Sequence, residues 1–587
     1  MLVVVVVAVL LWLVFFYFFC VRLGGIMTST SSAITAGLAG YGIGTKAGAG
    51  DMVEVDGGDF NYDDKILVET SQERGYDFSI RPIGAIVNTT PKSSQTFVIE
   101  PLVDRYLQNN KTTLEMRVKV TKRNGDRLSP FADIVAPVNL LGQLMWESVE
   151  VKLNGHSFSG TCNSNSGLKA FIDTVLSTED DARHTHTATQ LMHMDSAFAY
   201  DDFGLTAEDF FSSAKWELER GGITPFPAGL LALREVPAAG EAELTEQQKE
   251  NTYQFTYSGD DGRNKVAYIK AQTAADWIMA EGRKTTEAQA GDNPLFRLIG
   301  RTCEIDRPHK DRNKGFQTRL KLARFSEEIN VVTPIPHDFF NLNNHIGPGN
   351  RIEVTFTPYK DSFVLNSHFQ HEGYTLQIVD MKMHLRTIER RERIHPPLVE
   401  RYRMNQTELV RHPVAQGMTT YGFRVHHSGP HPKTLVFAFN DTRAIEGDYA
   451  RNPVHFPHFN LRRIQLSVNG EIYPSGGLNF DFQRRNPLCS WGYHWLFENT
   501  GALLTNRGNM VTMDQFVAGC FIVPFDLTPD KCNGIHNHKC DYGYIDVELD
   551  WAEPLPGGVT VLVEKVFNKL VINDKLNSQM TVLDVEA

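Results

Sequence analysis

One short stretch of the sequence concentrates side chains that could bind a metal ion. Cys532, His536, His538 and Cys540 lie within nine residues. Two thiolates and two imidazoles form a ligand set that zinc accepts in tetrahedral geometry. The order Cys-x3-His-x-His-x-Cys, however, lacks the Cys-x2-Cys or His-x3-His intervals that set ligand geometry in zinc sites. An ordinary polar loop is therefore favoured over a metal site, and we predict no metal, cofactor-binding or catalytic residues.

The remaining histidines do not form a catalytic pattern. They lie in loop-like sequence without a carboxylate at helical spacing, at His184, His186, His426, His427 and His431. The sequence also lacks a Gly-x-Ser-x-Gly elbow, a His-Glu-x-x-His motif, a dinucleotide fingerprint and a P-loop. We therefore predict that the protein is not an enzyme. A jelly-roll enzyme of the cupin type, using the Cys532 to Cys540 loop, is the enzymatic alternative.

Length and charge narrow the class of protein. A chain of 587 residues with 22% charged and 42% hydrophobic residues is typical of globular proteins with two to four domains. The formal net charge of −12 argues against a chain built mainly to coat nucleic acid, although it allows a local basic stripe. Seven thinly spread cysteines do not indicate a disulfide framework and favour a reducing compartment.

The N-terminal segment, residues 1–26, is strongly apolar. Its apolar run, LVVVVVAVLLWLVFFYFFC from Leu2 to Cys20, is long enough to span a bilayer. It lacks the basic region and the small-residue cleavage site of a signal peptide. Three interpretations stay open, namely a signal anchor, an extension upstream of a start at Met27, and a buried core element. Residues 27–84 begin rich in Gly, Ala, Ser and Thr, and we expect a flexible arm there.

Two distant segments of the chain share one pattern. The first is APVNLLGQLMWESVEVKLNG, Ala136–Gly155, and the second is NPVHFPHFNLRRIQLSVNG, Asn452–Gly470. Both begin with Ala or Asn followed by Pro-Val and end with Asn-Gly, a dipeptide typical of tight hairpin turns. Between these ends, alternation places on one strand face Val149, Val151 and Leu153 in the first copy, and Ile464, Leu466 and Val468 in the second. One β architecture is therefore expected twice in tandem.

The rest of the chain adds strands, one helix and two irregular segments. Apolar spacing predicts a helix over Gly167 to Leu176, with a shared face made of Leu168, Phe171, Ile172, Val175 and Leu176. Its expected role is packing over the end of a sandwich, with a partner-binding helix as the weaker alternative. Residues at about 177–323 mix acidic, Gly/Pro/Ala-rich and short amphipathic pieces, and they are interpreted as insertions between strands.

A basic run surrounds Pro396-Pro397. Its arginines are Arg386, Arg390, Arg391, Arg393, Arg401, Arg403 and Arg411. The stiff Pro-Pro in weakly periodic sequence indicates a linker over residues 389–412. The arginines could form a solvated surface, pair with acidic residues between subunits, or contact packaged nucleic acid.

Four Asn-x-Ser/Thr sequons, at Asn88, Asn110, Asn405 and Asn440, would mark surface only in a secreted protein.

Several ordered motifs carry a resemblance to one family. In the second half they are Asn452–Phe459, Val468–Gly470, Phe525–Asp530 and Trp551–Pro556 leading into Val559–Val563. In the first half they are Ala136–Asn139, Val149–Gly155, Ala170–Leu176, Pro336–Phe340 and a strand ending near Lys360–Phe363. In number and order they resemble the double jelly-roll major capsid proteins of Polinton (Maverick) elements and adintoviruses. The resemblance runs from about Thr96 to the C-terminus, outside the central insertions.

The resemblance implies an all-β fold of two tandem jelly-roll sandwiches, over residues 85–388 and 413–587. It also implies homotrimeric, pseudo-hexagonal capsomers that tile an icosahedral shell around double-stranded DNA, without sequence-specific DNA binding. Penton and minor capsid proteins are the further partners, and the expected location is a virion capsid assembled in the host nucleus. A membrane contact is expected only if residues 2–20 are a genuine anchor. The alternative is a membrane-anchored, lectin-like β-sandwich binding module, motivated by Leu2 to Cys20 and the sequons.

Overall fold

A computed structural model describes most of the chain outside the N-terminal region and the central insertion. The described residues are 72–88, 92–128, 133–158, 165–203, 313–342, 344–367, 373–390, 398–506, 508–531 and 541–584. Two further hairpins are described by their backbone, Met52–Val55 (β1) with Ile66–Glu69 (β2), and Thr252–Ser258 (β10) with Asn264–Lys270 (β11). The apolar segment Leu2 to Cys20 is outside this set.

Strands dominate both halves of the described chain. The first half contains β3 Gln72–Ile80, β4 Gln95–Ile99, β5 Arg105–Leu107, β6 Thr113–Lys122, β7 Val135–Pro137, β8 Trp146–Leu153, β9 His156–Ser157, β12 Ile329–Pro334, β13 Ile352–Pro358, β14 Leu365–Ser367 and β15 Tyr374–Arg390. The second half contains β16 Val399–Val414, β17 Thr420–Arg424, β18 Thr434–Asp441, β19 Leu461–Val468, β20 Glu471–Asn479, β21 Ile522–Asp526, β22 Ile545–Trp551, β23 Val559–Asp574 and β24 Gln579–Asp584.

Helices in the described residues are short and lie between strands. The α-helices are Leu141–Leu144, Ser166–Ser177, Lys314–Ala323, Asp361–Val364, Thr442–Glu446, Ser490–Glu498 and Met513–Val517. Single 3-10 turns occur at Asn109–Lys111, Asp180–His184, His186–Gln190, Arg324–Ser326 and Asp338–Asn341. None of the helices replaces a strand of the sheets, so the chain belongs to the all-β class.

The strand order is the same in the two halves. The first half forms the sheets β3-β15-β6-β12 and β4-β13-β8-β9, with β5 also paired to β15. The second half forms β16-β23-β18-β21 and β17-β22-β19-β20, with β24 also paired to β23. If the eight principal strands of each half are numbered along the chain, both halves have the orders 1-8-3-6 and 2-7-4-5. This is the strand order of a jelly roll, so the predicted fold of two tandem jelly-roll sandwiches is confirmed.

Each sandwich buries the apolar face that the alternating pattern predicts. In the first, Val151 of β8 and Phe356 of β13 are 0% exposed, and the Trp146 and Phe356 rings lie 5.0 Å apart. In the second, Leu466 of β19 and Val561 of β23 are likewise fully buried. Burial of such side chains contributes roughly 1.5–3 kcal/mol each, which makes these cores the main source of stability.

The two Asn-Gly turns have the same backbone conformation. Asn154 and Gly155 have φ angles of 52° and 86°, and Asn469 and Gly470 have φ angles of 51° and 90°. Each pair forms the two-residue loop of a hairpin, β8 to β9 and β19 to β20. Two consecutive positive φ angles define a type I′ turn, which explains the Asn-Gly choice. The predicted matching turns are confirmed.

The asparagine of each turn has a second role that the pattern did not reveal. Asn154 Oδ1 accepts a hydrogen bond of 2.9 Å from the Arg351 backbone N–H, and Asn154 N donates to Arg351 O at 2.8 Å. Asn469 makes the same pair of bonds with Tyr544, both at 3.0 Å. Since Arg351 and Tyr544 each precede the seventh principal strand, the two asparagines hold equivalent strands together.

The basic segment 389–412 is mostly strand, which differs from its interpretation as a linker. Strand β15 continues to Arg390, and β16 begins at Val399. Tyr402 and Met404 are buried, whereas Arg401 and Arg403 on the opposite face are exposed. The arginines therefore reflect the solvent side of a half-buried strand. Beyond the described part of this segment lie Arg391, Arg393 and Pro396-Pro397.

Candidate assembly site at the junction of the two sandwiches

The predicted helix is present as Ser166–Ser177, which we call the junction helix. Its Leu168, Phe171, Ile172 and Val175 side chains are at most 1% exposed, and Leu176 is half-buried. A Cβ atom on Gly167 would lie only 2.5 Å from Leu144 O, so the close approach of the helix requires glycine here. The predicted helix and its buried face are confirmed. The helix does not, however, lie at the expected place over the end of a sandwich.

The junction helix lies between the sandwiches instead of over one end. The Phe171 ring lies 6.0 Å from the ring of Phe456 in the second sandwich. Val175 O accepts a hydrogen bond of 3.0 Å from Met510 N. Just before the helix, Asn165 Nδ2 donates to Leu409 O of β16 at 3.3 Å. The helix is therefore part of the surface that joins the two sandwiches.

A fully buried ion pair reinforces the junction. Arg319 Nη2 and Asp195 Oδ1 are 2.7 Å apart, and both side chains are 0% exposed. Arg319 Nε also donates to Pro137 O at 2.9 Å. Asp195 Oδ2 accepts from Asn452 Nδ2 of the second sandwich at 2.8 Å. Buried charges are tolerated only when their hydrogen-bonding capacity is satisfied, so Asn452 completes an ion pair that the first sandwich supplies.

A second carboxylate of the same region also reaches across the junction. Asp201 Oδ1 accepts from Asn452 N at 2.8 Å, and Asp201 Oδ2 lies 2.8 Å from His455 Nδ1. Burial disfavours the charged carboxylate, but the hydrogen bond and charge of His455 outweigh it and lower the pKa of Asp201. The His455 ring stacks on Tyr200 with centroids 5.1 Å apart. Asp201 and Tyr200 thus hold the start of the second Pro-Val motif.

Glu400 joins the sandwiches elsewhere along the junction. Its Oε1 atom accepts from Lys575 Nζ at 2.6 Å. Its Oε2 atom accepts from Tyr402 OH at 2.7 Å, from Asn350 Nδ2 at 2.9 Å and from Asn573 Nδ2 at 3.0 Å. Asn350 precedes β13 of the first sandwich, whereas the other residues belong to the second. One buried carboxylate therefore connects both halves of the chain.

A third cluster of charged side chains at the junction, after those of Asp195 and Glu400, is centred on Lys169 of the junction helix. Lys169 pairs closely with Asp338 and lies 3.5 Å from Asp173. Asp338 Oδ2 in turn accepts from Thr407 N of β16 at 2.8 Å. Glu564 of β23 is 1% exposed, and burial together with the charge of Asp173 raises the pKa of Glu564 well above its usual value. The protonated form of Glu564 is therefore favoured in the folded chain.

The structure describes only some of the residues considered as metal or catalytic candidates. Cys532, His536, His538 and Cys540 lie outside the described residues. Within the described ranges, no group of three or more His, Cys, Asp or Glu side chains is arranged to hold a metal ion. The described histidines of that set are His184, His186, His426, His427 and His431.

Two of these histidines do contact each other. His431 Nδ1 and His427 Nε2 are 3.3 Å apart, a distance at which one ring donates its N–H to the other. Burial, and for His427 also the neighbouring charge of His431, lowers the pKa of both rings, which favours their neutral forms. His184 Nε2 instead accepts from Arg183 Nε at 3.1 Å on an exposed turn. These contacts are local, between residues one or four positions apart in the sequence.

The described arginines of the basic run have separate surroundings. Arg386 pairs with Asp77 at 3.1 Å on an exposed surface, a kind of pair that contributes little. Arg411 Nη2 donates to Tyr359 OH at 3.1 Å across the junction. Arg401 and Arg403 point to solvent from β16. The run therefore does not form one basic patch among the described residues.

The four sequons differ in accessibility. Asn440 is 1% exposed, and its Nδ2 atom donates to Pro453 O. Asn88 Nδ2 donates to Ile378 O at 2.9 Å. Asn110 and Asn405 are exposed. Folding thus occupies the amide nitrogens of two sequons.

Among the described residues no helix has the length and hydrophobicity to cross a membrane.

Fold and junction together define a tandem double jelly-roll protein whose sandwiches are fixed to each other by buried polar contacts. No protein-family model matches the chain, and no curated protein matches it. The chain is similar to a chain of the Sputnik virophage cryo-EM structure at 10% identity and a TM-score of 0.47, over 91% of this chain and 93% of that one.

Two viral major capsid proteins are similar at the same remote level. The mavirus major capsid protein has 7% identity and a TM-score of 0.39, over 92% of this chain and 97% of that one. The Faustovirus major capsid protein has 8% identity and a TM-score of 0.40, over 86% and 91%. At these identities and scores the likeness carries no argument by itself, and the fold assignment rests on the strand order described above.

Proposed function

We propose that this chain is a major capsid protein that assembles as homotrimeric, pseudo-hexagonal capsomers into an icosahedral shell around double-stranded DNA. The observation that carries the proposal is the repetition of one jelly-roll strand order in both halves. Three such chains around a threefold axis place six similar sandwiches in a ring. A ring of six similar units has the outline that hexagonal tiling needs, and closed cyclic symmetry limits its size.

The junction supports the proposal because tiling requires the two sandwiches of one chain to keep a fixed angle. Three separate polar groups, centred on Asp195, Glu400 and Lys169, bind the halves together. A flexible connection would give each capsomer several shapes and prevent regular contacts.

The assignment to a particular group of capsid proteins follows from the sequence motifs. The ordered motifs, such as Asn452–Phe459, resemble those of Polinton (Maverick) elements and adintoviruses. We therefore place the protein in a virion capsid assembled in the host nucleus, with penton and minor capsid proteins as neighbours. The two sandwiches are assigned to residues 85–388 and 413–587, with β3 added to the first and β16 to the second.

The test is the solution mass of the full-length chain, purified in a mild detergent that keeps the N-terminal apolar segment in solution. Analytical ultracentrifugation should give three times the chain mass of 66.1 kDa, and electron microscopy should show hexagonal outlines. A strictly monomeric chain across the micromolar range would refute the proposal. Membrane-fractionated, glycosidase-sensitive protein would instead favour the lectin-like module, for which only Asn110 and Asn405 are exposed sequons.

A further inference from the structure

The two equivalent sheets β3-β15-β6-β12 and β16-β23-β18-β21 differ in how their outer faces are covered. In the second sandwich, all of Ile522–Asp526, all of Val559–Lys565 and all of Leu435–Asn440 are buried on both faces. In the first sandwich, β6, β12 and β15 alternate buried residues with exposed or half-buried ones. In the second sandwich β18, β21 and the first part of β23 are thus covered on their outer face, whereas the corresponding strands of the first sandwich, β6, β12 and β15, are open there.

The junction helix contacts the second sandwich at two strands, β16 and β23. The polar residues that face the second sandwich, Asn165, Lys169 and Asp173, recur every four positions and therefore lie on one side of the helix. Asn165 bonds to β16, and Lys169 and Asp173 lie beside Glu564 of β23. The internal junction therefore places one row of a helix against the outer face of a four-stranded sheet.

The second sandwich has an equivalent helix, Ser490–Glu498, which we call the outer helix. It lies between the fifth and sixth principal strands, β20 and β21, just as the junction helix lies between β9 and β12. The sequences Gly167-Leu-Lys-Ala-Phe-Ile-Asp173 and Gly492-Tyr-His-Trp-Leu-Phe-Glu498 align without a gap. Both glycines lie at a close approach, since a Cβ on Gly492 would lie 2.2 Å from Phe480 Cε1.

The alignment identifies the row of the outer helix that corresponds to the junction row. Asn165, Lys169 and Asp173 correspond to Ser490, His494 and Glu498. Ser490 and His494 are exposed, Glu498 is half-buried, and the neighbouring Trp491 is 57% exposed. The Trp491 ring stacks on His494 with centroids 5.6 Å apart. The outer helix thus presents an exposed aromatic side chain beside this row, at the position equivalent to Ser166, whose Oγ accepts a hydrogen bond from Val149 N within the first sandwich.

The open sheet of the first sandwich has a matching apolar position. Val379 is 37% exposed on the outer face of β15. It is the extra residue of a β-bulge between Ile378 and Asp380, and it lies next to Asp380, which takes the ladder position of Glu564, the residue of β23 beside the junction helix. At the internal junction, the row of the junction helix packs on a sheet face of the second sandwich. The equivalent row of the outer helix and the equivalent sheet face of the first sandwich are both exposed in the described chain.

We infer that the outer helix of one copy packs on the outer face of the β3-β15-β6-β12 sheet of a second copy, with Trp491 near Val379. This inference rests on the proposed trimer and assigns its contact surfaces. Helix and sheet belong to different sandwiches, so the contact is heterologous, and a ring of copies closes when the rotation between copies is 120°. Each contact between copies would then repeat the contact inside each chain.

Paired substitutions test the contribution of the helix. Trp491→Glu places a charge in the inferred contact, whereas Tyr542→Glu changes a side chain of nearly equal exposure, 57% against 56%, elsewhere on the second sandwich. Loss of a central Trp contact should weaken trimer formation at least about 30-fold in ultracentrifugation. Circular dichroism and the thermal midpoint should stay as in the wild type, because Trp491 is not part of the core. Equal trimer strength in the two variants would contradict the inference.

Photo-crosslinking identifies the opposite surface. The full chain with p-benzoylphenylalanine at position 491 is mixed with isotopically heavy chain, refolded or co-expressed as mixed trimers, and irradiated. Mass spectrometry should find position 491 joined to peptides of β6, β12 or β15 from the other isotope. Trimers crosslinked only to other surfaces would overturn the inference and leave the proposed function intact. A wild-type chain that remains monomeric would overturn both.

Discussion

The buried ion pair of Arg319 and Asp195 gives the sharpest prediction about the junction. Asp195→Asn keeps the shape of the side chain but leaves the Arg319 guanidinium buried without its counter-ion. Both side chains are 0% exposed, so water cannot replace the lost charge. Breaking a buried pair on one side costs about 3–5 kcal/mol. The bond from Asn452 Nδ2 to Asp195 Oδ2, 2.8 Å long, links this cost to the contact between the sandwiches.

The assay is equilibrium unfolding in urea, followed by tryptophan fluorescence. A loss of about 3–5 kcal/mol at a slope of roughly 3 kcal/mol per molar urea lowers the midpoint by about 1 M or more. The matched control is Asp77→Asn, which removes the exposed partner of Arg386 and should change the free energy of unfolding by less than about 0.5 kcal/mol.

A double variant separates loss of the pair from loss of shape. Asp195→Asn combined with Arg319→Met removes both charges, so the destabilisation should be smaller than the sum of the two single effects. The reasoning is refuted if Asp195→Asn unfolds at the same urea concentration as Asp77→Asn. It is also refuted if the single effects simply add.

Three further predictions concern single buried groups. Because burial raises the pKa of Glu564 in the folded chain, stability falls as pH rises from the unfolded value of 4.5, where only the unfolded carboxyl ionises, up to the raised folded pKa, and Glu564→Gln should flatten this fall of the urea midpoint with pH. Burial lowers the pKa of His337 to about 4, so stability falls as pH drops from 6.5 towards 4, and His337→Gln should remove that part of the acid sensitivity in thermal melts. Asn469→Gly keeps the positive φ angle but loses the bond to Tyr544, and calorimetry should show a loss of about 1 kcal/mol, with Asn469→Ala costing more.

Features set by local chemistry could be predicted from the sequence. The Asn154-Gly155 and Asn469-Gly470 turns depend on two residues whose backbone tolerates positive φ angles. The junction helix depends on apolar spacing within Ser166–Ser177. In both cases the determinant lies within a few residues of the structure it determines, so one sequence is sufficient.

The junction could not be predicted, because its determinants are distant in the sequence. Asp195 and Asn452 lie outside the helices and strands, Arg319 lies in the helix Lys314–Ala323, and nothing local marks the three residues as partners. The strand β16 did have a local signal, the alternation of buried Tyr402 and Met404 with exposed arginines. That alternation follows Pro396-Pro397 and lies among many arginines, two features that are typical of a linker.

The two equivalent faces differ chemically in a way that suits their different partners. The internal face contains buried Glu564, whereas the open face exposes Val379, the bulge residue beside the corresponding position. A junction between two parts of one chain forms at a high effective concentration, so it can include buried carboxylates that cost desolvation energy. A contact between separate chains pays for the loss of translational freedom, which favours an aromatic anchor such as Trp491 against an apolar position. Replacing Val379 with Glu should therefore weaken the trimer without destabilising the chain, and ultracentrifugation beside thermal unfolding would show whether the two effects separate.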